Sequence, residues 1–317
     1  MNPMTTAWFL EQLALLLYAL LAMFRVDTTF SASQLVDVST ETIGQSCLCL
    51  LMLLIACMQW PNRSNLLPEI DVADFIPALH THLQARTGHP ALTIDKDLKI
   101  PLARFSVVSR TAASSFLSGS DSWGVKMIAA FGCGTCGNED GNIEDTAFRT
   151  MSGAGHQHFL EFMNLLAKDT TADQLHEAIF GPWRYRDPSP VMRWDAADDR
   201  RYALRWDEPS KDPVRTVRGA NRLAIESLPF FPVVPQSVST VATTGFTGRR
   251  SNDTMFTWPI WSSALNADSV SSVLALPALQ RADASSAALS PLGICAAFRS
   301  QRITLGKYRN FTPAKPL

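Results

Sequence analysis

The chain has 317 residues, 28 basic and 29 acidic side chains, a formal net charge of −1, and 46% hydrophobic against 18% charged residues. That length can bury a large core as one large or two ordinary domains, and the apolar balance excludes a wholly disordered chain. The charge becomes informative once divided. Residues 214–317 carry eleven basic and four acidic side chains, a balance of +7, and the rest sums to −8. Such asymmetry points to an anionic partner at one end, or to a basic patch that docks on an acidic protein neighbour.

In chain order, two apolar runs come first. Residues 7–24 (AWFLEQLALLLYALLAMF) and 43–60 (IGQSCLCLLMLLIACMQW) each span eighteen residues with aromatics near the ends, close to the minimum for crossing a bilayer. A membrane hairpin is one reading, and buried or partner-docking helices are the other, favoured by Glu11 inside the first run and by sparse positive flanks. Met1–Thr6 holds no basic residue, which argues against a secretory signal. PNRSNLLP at 61–68 reads as a linker, so a hydrophobic helical segment is expected over 1–65 and a mixed domain over 66–317.

Residues 69–83 have helical spacing, with Phe75, Ile76, Leu79 and Leu83 on one side. His80, His82 and His89 lack metal-ligand spacing and read as surface residues. Residues 93–108 predict a pair of strands, a Ser-rich stretch follows to Ser122, and VKMIAAF is a short buried strand or helix. GCGTCGNEDGN contains the chain's single Cys-X-X-Cys, Cys133 and Cys136. It can be half of a zinc site, a redox couple, or a glycine-rich turn with incidental thiols. Cys47, Cys49 and Cys57 lie in the second apolar run and Cys295 stands alone, so no paired framework is evident and a reducing, cytoplasmic compartment is the simplest.

Gly153–Gly155 precede a helix carrying Phe159, Leu160, Phe162, Met163 and Leu166. Beside Arg149, and with His156 and His158 near, this helix start can hold a phosphate, although the lysine and spacing of a P-loop are missing. A helix over 171–180 is capped by Thr170 or Thr171 and stops before Gly181 and Pro182. The stretch 193–222 interleaves Arg and Asp with Trp194, Tyr202 and Trp206 and repeats Arg-Trp-Asp at 193–195 and 205–207. It suits a gripping surface, or a solvated face with internal ion pairs. Arg215, Arg218 and Arg222 surround a glycine-opened helix start, 220–228, where amides and helix dipole favour an anion. Beyond 228, LPFFPVVP, STVATTGFTGRR and TMFTWPIW read as short strands, with Arg249 and Arg250 at a hairpin tip, and 267–279 as a helix. FRSQRITLGKYRNFTP gathers Arg299, Arg302, Lys307, Tyr308, Arg309 and Phe311 with no acid among them, a set of charges for phosphates and rings for stacking.

The runs IEDTAFRTMSGAGHQHFL, GPWRYRDPSPVMRWDAADDRRYALRWDEPSKDP, RGANRLAIESLPFFP, TTGF, FTWPIW and RITLGKYRNFTP resemble a CRISPR-associated family of type I-G (formerly I-U) systems, over about residues 120–317. The resemblance implies a subunit of a crRNA-guided surveillance complex that assists RNA binding, target DNA capture or assembly beside other effector subunits, with no nuclease, cofactor or metal of its own. The expectation is thus an α+β fold, N-terminal hydrophobic helices followed by a mixed helix and antiparallel-sheet domain. Its candidate nucleic-acid contacts are Arg149, His156, Trp206, Arg215, Arg218, Arg222, Arg249, Arg250, Arg299, Arg302, Lys307, Tyr308 and Arg309. The alternative is a protein anchored by two transmembrane helices and bearing a cytosolic interaction domain.

Overall fold

The computed structural model describes residues 72–151, 156–195, 215–248, 253–261, 265, 267–305 and 308–317. Both apolar runs, the 61–68 linker, Gly153–Gly155, Trp206, Arg249, Arg250 and Lys307 lie outside the described residues. Among those described, no helix is long and apolar enough to cross a membrane.

The architecture is mixed helix and antiparallel sheet. Helix α1 (Val72–Gln84) buries Phe75, Ile76, Leu79 and Leu83, the four residues its spacing singles out. Where two strands are expected over 93–108, the chain instead forms a single-turn 3₁₀ segment (Pro90–Leu92) and helix α2 (Leu102–Leu117). Pro101 occupies the N-cap and opens this helix, and Arg104 is tied by its ion pair to Asp95. Only Phe105 of α2 is buried. Val107 and Val108 therefore sit on a mostly solvated helix, and β-branching did not override the proline start. Helix α3 (Ser122–Phe131), capped by the Asp121 side chain, runs straight into strand β1 (Gly132–Gly137), which pairs with β2 (Ile143–Asp145). β1 lies so close to α2 that a Cβ on Gly134 would stand 3.3 Å from the Ser106 Cα.

Helices α4 (Phe159–Asp169), α5 (Ala172–Phe180) and α6 (Arg218–Ser227) pack with α1. Thr171 caps α5 in a reciprocal box with Gln174, as the Thr-x-x-Gln spacing dictates. α6 is the centre of the layer: Gly219 to Ser227 are all buried. A Cβ on Gly219 would sit 2.0 Å from the Gln174 carbonyl oxygen, so this glycine serves close approach of two helices rather than an open anion site. Inside α6, Arg222 donates to Glu226 at 2.7 Å and to the Leu83 carbonyl at 3.0 Å, while Trp123 donates its indole N–H to the second Glu226 oxygen at 2.8 Å.

The second layer is the sheet β5-β6-β7-β8, with β5 Phe246–Thr247, β6 Met255–Trp261, β7 Ile294–Leu305 and β8 Tyr308–Phe311, while β9 (Lys315–Pro316) pairs with β7. All pairings are antiparallel, with Phe256 opposite Ser300 and Thr304 opposite Arg309. A separate hairpin, β3 (Val233–Pro235) with β4 (Val241–Thr243), lies against β1. Helix α7 (Ala267–Leu274) buries Val270 and Leu274 in the main core, while the outer face of the sheet is covered by α8 (Pro277–Gln280) and α9 (Ser286–Leu289), which bury Leu279 and Leu289 with Ile294 and Ala297.

Phe148 joins the two layers. Its ring meets Trp194, Phe231, Phe246 and Phe256 with centroids 4.8–6.3 Å apart, mostly edge to face. The Trp194 indole donates to the Phe148 carbonyl at 2.9 Å. Arg193, Trp194 and Asp195 are thus buried, which corrects the expectation of a gripping surface for the described start of the 193–222 stretch. The buried core cluster runs without interruption from Phe75 to Phe311.

Candidate nucleic-acid interface

The sheet pleat divides the basic cluster of the C-terminal strands. Arg299 and Arg302 are three apart on β7, so they face opposite sides of the sheet. Arg299 points to the outer helices, donating to Thr257 Oγ1 at 2.8 Å and to the carbonyls of Leu279 and Arg281, both at 2.9 Å. Burial pushes its guanidinium below the ordinary value. It is a strut between sheet and α8.

Arg302 and Arg309 share the inner side. Arg302 lies opposite Phe311 and Arg309 opposite Thr304, which makes the two arginines diagonal neighbours across β7 and β8. Both guanidinium groups reach the Arg149 carbonyl oxygen, at 2.9 Å and 3.4 Å. That carbonyl is rigidly placed, because Ala147 N donates to Thr243 Oγ1, Arg149 N to the Thr146 carbonyl, and Thr150 Oγ1 to the Met192 carbonyl. Neither arginine forms an ion pair among the described residues. Burial first, then the adjacent Arg309 charge and Arg149, push the Arg302 guanidinium down to about 10, with Asp145 opposing. It stays charged at neutral pH, and its Nε is buried with no hydrogen-bond partner.

The two arginines line an open cleft of about 510 Å³ whose walls are the β2 end (Glu144, Asp145, Thr146), the β3–β4 hairpin (Gln236, Ser239, Thr240, Thr243) and Thr254. Two cations surrounded by hydroxyls and amides make a site for phosphate oxygens. Two carboxylates oppose them, Asp145, which is already paired with Arg149, and Glu144. Burial, then the Asp145 charge, raise the Glu144 carboxyl above the ordinary value, so as pH falls it is neutralised before an ordinary glutamate would be and stops repelling a bound anion. Polyanion affinity should rise on acidification, and Glu144→Gln should bind more tightly at neutral pH and lose that part of the pH dependence. The expected change is about 0.5–1 kcal/mol, roughly threefold, read by titrating a labelled oligonucleotide across pH with both proteins.

The other expected contacts are placed elsewhere. Arg149 turns its guanidinium away from solvent, bonded to Asp97 at 2.7 Å and to Asp145, with only 8% of its side chain exposed. Burial opposes its charge, yet the two carboxylates raise its pKa. Its carbonyl anchors the two cleft arginines. Arg222 is buried against Glu226. The start of α6, expected to bind a foreign anion, already holds one: Arg218 N donates to the Asp187 carboxylate at 2.9 Å, whose other oxygen accepts from Gln174 Nε2 at 2.6 Å. The Arg218 side chain reaches the carbonyls of Pro188 and Ser189, and exposed Arg215 donates to the Arg186 carbonyl at 3.0 Å. His156 is exposed, with φ 59°, and does not line the cleft. Tyr308 opens β8 opposite Leu305, and its side chain lies outside what is described. The threonines, Gln236 and Glu144 escaped the sequence reading, although the Thr-rich run STVATTGFTG holds most of the hydroxyls.

Searches of protein-family models, curated proteins and solved structures found no match to this chain.

Proposed function

We propose that this chain is a non-catalytic, cytoplasmic subunit of a type I CRISPR surveillance complex, holding the backbone of crRNA or target DNA in the Arg302–Arg309 cleft and helping the effector assemble. The observation that supports this reading is the convergence of two guanidinium groups, unpaired with carboxylates among the described residues, on one fixed carbonyl in a hydroxyl-lined cleft. Like charges held together inside a polar recess are poorly compensated by their own fold, and a phosphodiester would complete them. The set recognises phosphate without reading bases, which suits an assembly where base pairing reads sequence and protein holds backbones. The runs quoted above, several of which surround the cleft, carry the resemblance to the CRISPR-associated family.

Affinity purification of the tagged full chain from its own host tests the proposal. The expected result is co-purification of a discrete short RNA and of the other effector subunits. Recovery in the membrane fraction with no nucleic acid would favour the anchored alternative instead.

A further inference from the structure

Cys133 and Cys136 are three residues apart, which on a regular strand would put their side chains on opposite faces and their Cα atoms about 10 Å apart, too far for a disulfide. β1 is not regular there. Gly132 pairs with Asp145 and Gly137 with Ile143, so five steps on one strand oppose two on the other and the segment between them bulges. The bulge brings both sulfurs to the Thr135 hydroxyl, 3.0 Å from Cys133 Sγ and 3.9 Å from Cys136 Sγ. Cys133 is partly exposed and Cys136 buried. Among the described residues no third His, Cys, Asp or Glu joins them in a metal-sized group.

We propose that Cys133 and Cys136 form a thiol–disulfide exchange site that reacts with small disulfides such as oxidised glutathione, Cys133 attacking and Cys136 resolving. Cys133 thiolate displaces one thiolate from the small disulfide and forms a mixed disulfide. Cys136 then passes its proton to the released thiolate and attacks Cys133 Sγ, expelling the second. Counting the proton that Cys133 sheds to solvent on ionising, which the second expelled thiolate takes up, the chain loses two electrons and two protons and the small disulfide is reduced to two thiols. The environments suit these roles. Burial alone would raise the Cys133 thiol, but hydrogen bonding, chiefly with Thr135, outweighs it and holds it below its ordinary value. Burial raises the Cys136 thiol, the Thr135 hydroxyl opposes this, and the nearby Cys133 and Glu144 charges add to it. A partly exposed attacking thiol and a buried resolving one is a workable division.

The pair also reaches the arginine cleft. The Cys136 thiol donates to the Ser237 carbonyl at 3.0 Å, and Ser237 lies in the β3–β4 turn whose neighbours Gln236, Ser239 and Thr240 line the cleft. A disulfide has no S–H to donate, so oxidation removes that tie.

The test equilibrates the full chain across reduced-to-oxidised glutathione ratios, alkylates the remaining thiols and maps them by mass spectrometry. Cys133 and Cys136 should lose alkylation together in one transition, about two thiols per chain. C136S should stop at a glutathione adduct on Cys133, and C133S should leave Cys136 alkylatable. Backbone amides of 236–241 should exchange several-fold faster in the oxidised chain. Two thiols that stay alkylatable at the most oxidising ratio, that are lost independently, or that carry stoichiometric zinc as purified would overturn the exchange site. Unchanged amide exchange in a chain shown to be oxidised would overturn the link to the cleft. The wild-type measurement needs no variant, and it reads sulfur alone, so its outcome is separate from that of nucleic-acid binding.

Discussion

Replacing Glu226 with alanine is expected to destabilise the protein by about 3–5 kcal/mol, the largest loss of any single substitution considered. Glu226 is 4% exposed and Arg222 1% exposed, and the carboxylate satisfies both Arg222 and the Trp123 indole. Truncation would strand a guanidinium in the centre of α6, with only the Leu83 carbonyl left to it, and would also orphan the indole N–H. Against a total stability of roughly 5–15 kcal/mol, that leaves a marginal fold. The pair itself is a different matter, because desolvation offsets much of its Coulomb attraction. Replacing both residues with apolar groups of similar volume, R222M with E226L, should come much closer to wild type than E226A does. Urea denaturation followed by tryptophan fluorescence reads both. Comparable losses in the single and double variants would mean that packing volume, rather than the stranded charge, sets the cost.

Replacing Arg302 and Arg309 together with glutamine should weaken binding of single-stranded RNA by about 10- to 100-fold at moderate salt, from one to two charge-assisted phosphate contacts of roughly 1.5 kcal/mol or more each. The fold should tolerate the change. Both side chains donate to a carbonyl rather than to a carboxylate, so their removal strands no buried anion, and it relieves the burial and the Arg309 repulsion that push the Arg302 guanidinium down. A protein that binds less and melts at the same or a higher temperature is the signature of a site built at the expense of stability. The contrary pattern, lost stability with unchanged affinity, would mark the two arginines as structural props of the Arg149 loop. Arg299→Gln is the matched control from the other side of the sheet. It removes bonds to Thr257, Leu279 and Arg281 and should cost stability while leaving RNA affinity within about twofold.

Local pattern was legible in the sequence where local forces decide. The apolar spacing of Phe75, Ile76, Leu79 and Leu83 sets α1, the Thr171–Gln174 box starts α5, and the mixed helix and antiparallel-sheet class follows from these together with the short C-terminal strands. At 93–108 the β-branched run pointed to strands, and Pro101 turned it into the start of a helix. The basic residues were visible, but their availability was not, because several of the described arginines and the α6 start are matched by groups remote in sequence. Arg149 finds Asp97 52 positions away, and the α6 start finds Asp187 31 positions before it. Arg302 and Arg299, counted together in one basic cluster, are separated by pleat parity, which becomes decisive only once the strand is known. Of the expected contacts that the structure describes, Arg302 and Arg309 line the cleft, Arg149 contributes its carbonyl, and Arg222 is buried in an ion pair.

The salt dependence of RNA affinity tests the central claim most directly. If the Arg302–Arg309 cleft holds phosphates, the logarithm of the wild-type association constant should fall linearly with the logarithm of salt concentration, and the R302Q/R309Q protein should show a slope shallower by about 1.4, the counterions released by two single-strand contacts. Identical slopes for the two proteins, whatever their absolute affinities, would contradict it and place the nucleic acid elsewhere or nowhere on this chain.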